Sequence, residues 1–292
     1  MRSGILLVDK PLGVSSHAVV SRARKTLREK KIGHAGTLDP LASGLLVLGV
    51  GHATRFLTFL VGLDKTYLAT MRLGYATTTD DAEGERIEFG EGSLAECTPE
   101  AIDAVIASFT GPILQVPSTF SAIKMDGVRA YERARKGEAV DIPARPVSVH
   151  RLERGAIAEG DGYLDVDLII DCSSGTYIRA LARDIGAALG VGGHLVRLRR
   201  SAVGPFGVHD AVEVDEMSED ALMALSTVAP LVMPTMDVSG PSRDDIRHGR
   251  SIVCSELSPG PRAVLDADSG ELLAVIDCSS GRSRILMGVP GA

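Results

Sequence analysis

Hydrophobic and polar positions at the start of the chain predict a strand, a turn and a helix in quick succession. Residues 5–8 are a short apolar run typical of a buried strand, and a Lys-Pro-Leu-Gly turn at 10–13 follows it. Ser15 or Ser16 then caps a helix that is expected to run to about residue 31.

The same mixture of periodicities continues through the next segments. In chain order they are a glycine-rich loop at 33–39, a largely apolar stretch at 41–50, a helix or turn at 53–61 and a strand at 65–73. Residues 98–108 have helical spacing, with Thr98 as the N-cap and Pro99 in the first turn.

The middle of the chain combines a polar segment with two further regular elements. Residues 111–146 are richer in proline and polar residues, with a helix near 129–136, and are expected to form an insertion that lies against substrate. Alternation at 163–171 predicts a strand, and a turn at 175–178 leads into a helix that ends near residue 189. Strands and helices mix without a regular βαβ repeat, which favours an α+β fold with a mixed, mostly antiparallel central sheet flanked by helices.

Prolines and small polar residues at 226–241 break this pattern, so a linker is expected there. Beyond it, three short strands separated by Asp-Ser-Gly and Ser-Ser-Gly turns are predicted at 262–268, 271–278 and 283–289. The predicted organisation is a first domain over residues 1–228 and a small β-rich domain, possible as a β-barrel, over 232–292.

Composition narrows the class of protein. Hydrophobic residues make up 45% and charged residues 24% of the 292 positions, which excludes a disordered chain. No apolar run approaches the roughly 20 residues that span a bilayer, and a cytoplasmic location is expected. The four cysteines are scattered without a C-x-x-C pair, so all are expected to be reduced. They are Cys97, Cys172, Cys254 and Cys278.

The net charge of −7 is a weak argument against a nucleic-acid partner, because phosphate binding depends on Lys and Arg. Basic residues nevertheless form three clusters, which permit an RNA partner without proving one. The clusters are Arg22, Arg24, Lys25, Arg28, Lys30 and Lys31; Arg129, Arg133, Arg135 and Lys136; and Arg197, Arg199 and Arg200. The last cluster is expected to meet phosphates rather than base edges.

The segment G-H-A-G-T-L-D-P-L-A-S-G-L-L at 33–46 carries the most specific signal. Two glycines allow close approach of the backbone, and Pro40 holds the preceding Asp39 extended. Judged by spacing alone, Asp39 either is presented to a ligand or caps a helix that has Pro40 at its first position.

This segment resembles the catalytic motif of the TruB family of tRNA pseudouridine synthases. Further similar motifs span residues 4–206 in the family's order, and the tail resembles the family's PUA-like C-terminal domain. The motifs are Val8 to Ser16, Lys65-Thr66-Tyr67, Met71 to Gly74, Ser121 to Lys124 with Gly127, Tyr131, Ala134 and Arg135, and Ser174 to Arg179. Ser118 and Phe120 stand where the family commonly has Pro and Tyr, so packing and RNA contacts in the insertion are expected to differ in detail from the family pattern.

The resemblance implies roles for six residues. Asp39 is the essential nucleophile or base, and attack on C1′ or C6 or proton removal from the sugar all remain open. Tyr67 stacks on the flipped uracil, and Arg179 forms an ion pair that favours the charged form of Asp39. His34 contacts the opened RNA loop, while Tyr177 and Leu198 line the pocket.

Each of these residues also has an ordinary structural alternative. Tyr67 is otherwise a core or edge-strand tyrosine, and Arg179 is otherwise a surface partner of Asp184. His34 is otherwise a hydrogen-bonded loop histidine. The last two, Tyr177 and Leu198, are otherwise ordinary core residues.

The implied activity is the isomerisation of uridine 55 in the T-loop of tRNA to pseudouridine, by base flipping and without metal or organic cofactor. The implied partner is the T-arm of tRNA, with the chain as a monomer, no obligatory protein partner and no membrane. Three alternatives are a guide-RNA-dependent synthase of the same fold, a tRNA-binding or folding protein of the same fold for which catalysis is dispensable, and a carboxylate-dependent nuclease. The nuclease is disfavoured because the sequence has no clustered metal-binding acids.

Overall fold

The computed structural model describes residues 3–90, 92–119, 124–125, 128–129, 142–254 and 257–290. The chain folds into two compact units. The first contains Met1–Pro40, Gly44–Gly62 and Val203–Ala292, and the second contains Leu41–Ser43 and Leu63–Ala202.

Strands and short helices alternate along the described residues. The strands are β1 (Gly4–Lys10), β2 (Ile32–His34), β3 (Ala42–Val50), β4 (Lys65–Leu73), β5 (Ala76–Thr77), β6 (Arg86–Ile87), β7 (Gly111–Gln115), β8 (Lys124–Met125), β9 (Val128–Arg129), β10 (Arg145–Gly160), β11 (Tyr163–Cys172), β12 (Gly193–Val203), β13 (Phe206–Gly207), β14 (Val212–Glu213), β15 (Thr235–Val238), β16 (Ser258–Asp266), β17 (Leu272–Cys278) and β18 (Arg284–Gly288). The helices are α1 (Ser16–Thr26), α2 (Leu57–Val61), α3 (Pro99–Ser108), α4 (Ile178–Ala188), α5 (Leu225–Val232) and α6 (Gly240–Arg247). Short 3-10 turns lie at Gly51–Arg55, Leu94–Glu96 and Val208–Asp210.

In the first unit β1 lies between β3 and β14. It pairs antiparallel with β3 from Gly4 opposite Val50 to Lys10 opposite Gly44, and parallel with β14. Helix α1 buries Val19, Val20 and Ala23 against apolar side chains of β1 and β3. A fully buried Val or Leu contributes about 1.5–3 kcal/mol, so this apolar contact holds the helix on the strands.

The predicted start of α1 is confirmed, and its predicted end near residue 31 is wrong. The Ser15 side chain accepts from the Ala18 N–H and caps the helix. The helix ends at Thr26, because Arg28 adopts a φ of 50°, in the left-handed region that ends a right-handed helix.

In the second unit the strand order is β12-β4-β11-β10-β7. Strands β4, β11, β10 and β7 pair antiparallel with their neighbours. The predicted strand at 65–73 and the predicted helix at 98–108 are confirmed as β4 and α3, with the Thr98 side chain accepting from the Ala101 N–H. Helix α3 buries Ile102 and Ile106 and lies against β10 and α4.

The linker predicted at 226–241 is wrong. Helix α5 occupies Leu225–Val232 with Pro230 inside it, and β15 follows it. The helix buries Leu225, Val228 and Ala229 and contacts β1, β16 and β17. Burial of this apolar face outweighs the one backbone hydrogen bond that the proline removes.

The predicted β-rich tail is confirmed as a four-stranded sheet in the order β15-β16-β17-β18. Its core includes Val238, Ile246, Val264 and Ile276. With the mostly antiparallel pairing in both units, this sheet confirms the predicted α+β class. The predicted domain boundary between residues 228 and 232 stays a prediction.

Two of the four cysteines correct the expectation that all are reduced. Cys254 and Cys278 form a disulfide, whereas Cys97 and Cys172 are free and buried. The pair is 24 residues apart in sequence and meets in the core of the tail, so local spacing carried no signal of it.

Within the described parts of the chain, none of the helices has both the length and the apolar character that a bilayer crossing requires.

Candidate active site

Asp39 lies in the loop that joins β2 to β3. The loop continues the pairing of these strands, because the Ala35 N–H donates to the Val47 carbonyl at 2.9 Å. Gly36 then adopts a φ of 89°, which favours glycine. A strand begins at Ala42, three residues after Asp39, so the alternative in which Asp39 caps a helix is wrong. The Asp39 side chain is half-buried.

The turn that follows β1 lies beside this loop. The Gly13 N–H donates to the Pro40 carbonyl at 2.8 Å, and the Ser16 hydroxyl contacts the backbone of Leu38. The buried Lys10 ammonium donates to the carbonyls of Pro11 and Val14, which closes the turn on itself. The residues on both sides of Asp39 are therefore hydrogen-bonded to this turn and to the first residue of α1, which follows it.

His34 ends β2 and is half-buried. Its ring meets the ring of His17, on α1, edge to face with 5.7 Å between centroids. The predicted contact of His34 with RNA and its alternative as an ordinary loop histidine both remain open.

Arg179 lies in the first turn of α4 and is buried. Its Nη1 donates to the Asp81 carboxylate at 3.1 Å and to the Thr79 carbonyl at 3.2 Å. The alternative in which Arg179 is a surface partner of Asp184 is wrong, because the Arg179 side chain is only 7% exposed. The predicted ion pair between Arg179 and Asp39 stays a prediction.

Asp81, the partner of Arg179, was not expected from the sequence. It lies between β5 and β6, and its carboxylate also accepts from the Thr79 hydroxyl and the Glu83 N–H. Breaking a buried ion pair of this kind costs about 3–5 kcal/mol, because the remaining charge loses its compensation. The available signal was a pair of aspartates preceded by three threonines in the T-T-T-D-D segment at 77–81.

The preceding residue, Asp80, forms a second pair with the same helix. Arg183, one turn after Arg179, donates to the Asp80 carboxylate at 3.0 Å and to the Val116 carbonyl at 2.7 Å. Asp80 adopts a φ of 60°, which is unusual for a residue other than glycine. Burial raises the pKa of Asp80, and the Arg183 charge opposes that rise. Two consecutive aspartates thus meet two arginines spaced i, i+4 on α4.

Tyr67 is on β4, between β12 and β11, so the alternative of an edge-strand tyrosine is wrong. It pairs with Ile170 and is 8% exposed. Leu198 is half-buried on the neighbouring strand β12. The roles predicted for Tyr67 and Leu198 stay predictions beside the core alternative.

Tyr177 directly precedes α4, and its backbone is held from β7. The side-chain amide of Gln115 accepts from the Tyr177 N–H at 2.8 Å and donates to the Tyr177 carbonyl at 3.1 Å. The Arg145 guanidinium lies 4.6 Å from the centre of the Tyr177 ring. Gln115 is 1% exposed and was also missed, because nothing in its local sequence links it to residue 177.

The three arginines at 197–200 have different environments on β12. Arg197 is exposed, Arg199 is half-buried and Arg200 is 1% exposed. The prediction that Arg200 meets phosphate is wrong, since alternation along the strand directs it into the protein. Burial, and secondly the Arg200 charge, lower the pKa of Lys65 to about 8.

Two family models match adjacent parts of the chain. The model described as TruB family pseudouridylate synthase (N terminal domain) matches residues 24–178. The model described as tRNA pseudouridylate synthase B C-terminal domain matches residues 179–235. The chain belongs to the TruB family.

Curated relatives agree with this membership. The tRNA pseudouridine synthase B of Paenarthrobacter aurescens is 47% identical over 302 residues, which cover 100% of this chain and 96% of the relative. The tRNA pseudouridine synthase B of Mycobacteroides abscessus is 44% identical, over 98% of this chain and 96% of the relative. The TruB resemblance predicted from the motifs is confirmed.

Solved structures share the fold of this TruB chain. A crystal structure of a Cbf5-Nop10-Gar1 complex has a TM-score of 0.70 at 26% identity, covering 98% of this chain and 83% of that one. An H/ACA RNP bound to a substrate RNA containing 2′-deoxyuridine has a TM-score of 0.69 at 23% identity, covering 99% and 85%. The second likeness shows the fold alone.

Much of the TruB-like insertion lies outside the described residues. This applies to Phe120 and to the motif residues Ser121, Ala122, Ile123, Gly127, Tyr131, Ala134 and Arg135. It also applies to the helix predicted near 129–136, except that Arg129 is in β9. Ser118 is described and is buried.

Proposed function

We propose that this TruB-family chain converts uridine 55 in the T-loop of tRNA to pseudouridine, with Asp39 as the nucleophile or base. The observation that carries the proposal is the way in which the loop around Asp39 is held. Asp39 is half-buried, and the residues on both sides of it are hydrogen-bonded to the turn after β1 and to Ser16 at the start of α1. A carboxylate held in this way is suited to repeated attack on one bound nucleoside.

The reaction breaks the bond from N1 to C1′, rotates the base and forms the bond from C5 to C1′; C5 loses its proton and N1 gains one. It needs no change of oxidation state and no phosphate transfer, so one carboxylate is sufficient as the reactive group. The first atom that Asp39 attacks is left open.

The target base must leave its stack in the RNA loop, at a cost of a few kcal/mol. Stacking of the extruded uracil on Tyr67 would return about 1–3 kcal/mol. Tyr67 is suited to this role because it is fixed on an interior strand and is mostly buried.

Arg179 would hold the charged form of Asp39 in the bound complex. A guanidinium keeps its charge when it is buried, and Asp81 and the Thr79 carbonyl orient it. The support for this role is the match of Arg179 to the family motif together with that fixed orientation.

The experiment uses a tRNA transcript labelled with tritium at C5 of uridine, because formation of pseudouridine releases this label. The purified chain should release the tritium of one uridine per tRNA, and a transcript with cytidine at position 55 should release none. Asp39→Asn should abolish release and leave tRNA affinity within a few-fold. The matched control is Asp161→Asn, in the exposed turn between β10 and β11, which should release tritium at the wild-type rate.

Three other outcomes would each contradict a part of this proposal. Turnover by Asp39→Asn would remove the catalytic assignment. Binding and refolding of tRNA without release by the wild type would favour the tRNA-folding alternative. Release that requires an added guide RNA or protein would contradict a chain that acts by itself on the T-arm.

A further inference from the structure

The turn after β1 lies beside Asp39 as a consequence of strand pairing. Strands β1 and β3 are antiparallel, and their last pair is Lys10 opposite Gly44. The chain that leaves β1 therefore runs beside the chain that enters β3. Gly13 reaches Pro40, and Ser16 reaches Leu38, across this short gap.

Ser16 makes two hydrogen bonds to one residue of the loop. Its hydroxyl accepts from the Leu38 N–H at 2.9 Å and donates to the Leu38 carbonyl at 2.9 Å. Ser16 is 1% exposed and Leu38 is also buried, so water does not replace either bond when the hydroxyl is removed. One side chain thus fixes both polar groups of the residue before Asp39.

The residue after Asp39 is fixed by the turn that precedes α1. The Gly13 N–H donates to the Pro40 carbonyl at 2.8 Å, and Gly13 adopts a φ of 79° there. Because Leu38 and Pro40 are both held by hydrogen bonds, the backbone of Asp39 between them can change only through its own torsion angles. These contacts therefore contribute to the direction of its carboxylate.

We propose that Ser16 is a positioning residue for Asp39, which it orients through the backbone of Leu38. This inference rests on the proposed function, since it concerns the carboxylate that attacks the uridine. Loss of the hydroxyl releases the residue before Asp39, and misplacement by about 1 Å is enough to slow a reaction about 100-fold. Substrate affinity depends on other groups and is unaffected.

Ser15 provides a matched control beside it. Its hydroxyl accepts from the Ala18 N–H at 3.1 Å and caps α1. Ser15 and Ser16 are adjacent in sequence at the start of one helix, and it is the Ser16 hydroxyl that is bonded to Leu38. Substitution of Ser15 destabilises the same helix without touching the Asp39 loop.

The experiment compares Ser16→Ala, Ser15→Ala and the wild type. It measures the single-turnover rate of tritium release at saturating enzyme, the Kd for the tRNA transcript and the melting temperature of each variant. Ser16→Ala should lower the single-turnover rate roughly 10- to 100-fold and leave Kd within about threefold. Ser15→Ala should lower the melting temperature and keep the wild-type rate.

A Ser16→Ala rate within twofold of the wild type would overturn the inference, and so would an equal loss of rate in Ser15→Ala. If Ser16→Ala does not fold, Ser16→Cys carries the test with the same outcomes, because the larger thiol leaves no cavity and hydrogen-bonds only weakly. Failure of the wild type to release tritium would refute the proposed function instead. The two failures are therefore distinguishable.

Discussion

Arg179 and Asp81 form an ion pair with 3.1 Å between Nη1 and the carboxylate oxygen, and both side chains are almost fully buried. The two residues are 98 positions apart, on α4 and between β5 and β6. The contact joins a helix to a short hairpin and fixes the guanidinium that we propose to act on Asp39.

Asp81→Asn should destabilise the protein by about 3–5 kcal/mol, because it removes the Asp81 charge from a buried ion pair with Arg179. Tritium release should also fall, since the guanidinium loses a group that orients it. Urea unfolding measures the first effect. The exposed Asp161→Asn should change the unfolding free energy by less than about 0.5 kcal/mol. An Asp81→Asn protein as stable as the wild type would show that the pair contributes nothing.

Gln115→Leu should destabilise the protein by about 2–3 kcal/mol, because it leaves the Tyr177 N–H and carbonyl without the buried amide that binds both. The single-turnover rate should fall with it, since the residue before α4 is released. A control is Thr119→Ala, at an exposed position on the same segment. Equal unfolding free energies for the Gln115 and Thr119 variants would contradict this account.

The free energy of unfolding should rise between pH 8 and pH 9 because the folded protein lowers the pKa of Lys65. Its pKa is lowered from 10.5 to about 8, so above pH 8 the unfolded chain holds a proton that the folded chain has released. Above pH 9 the Cys172 thiol, with its pKa raised to about 11, opposes this rise. Urea midpoints measured from pH 7.5 to 9 should increase in the wild type and stay flatter in Lys65→Met. Parallel curves for the two proteins would refute the assignment.

Removal of the charge should affect tRNA binding at Arg197 and stability at Arg200. Arg197→Gln should weaken tRNA binding and reduce the slope of log K against log salt by about 1, because its exposed side chain is available to a phosphate. Arg200→Gln should lower stability and leave the slope unchanged, because its side chain is buried. Equal slopes for Arg197→Gln and the wild type would remove Arg197 from the RNA surface.

Local sequence signals correctly predicted the helices and strands that are determined by interactions between neighbouring residues. The cap at Thr98 and the proline after it placed α3 correctly, and the alternation at 65–73 placed β4 correctly. The linker at 226–241 failed because burial of Leu225 and Val228 outweighed the proline signal. The end of α1 failed because the left-handed Arg28 has no sequence signature.

The residues of the candidate site also differ in whether a local sequence signal points to them. Asp39, Tyr67 and Arg179 could be predicted as site residues because they lie in motifs that resemble a known family. The residues that hold Leu38, Tyr177 and Arg179 in place were missed because each acts across the fold. Ser16 and Leu38, Gln115 and Tyr177, and Asp81 and Arg179 are 22, 62 and 98 positions apart. No local pattern distinguishes such a residue from a neighbour of the same type.

The paired aspartates also restrict how the chain can change in length. Asp80 and Asp81 are consecutive, whereas their partners Arg183 and Arg179 are one helical turn apart in the opposite order. Deletion or insertion of one residue between β5 and Asp81 would separate both carboxylates from both arginines at once. Members of this lineage should therefore tolerate many substitutions around the β5–β6 hairpin while keeping the number of residues from β5 to Asp81 constant.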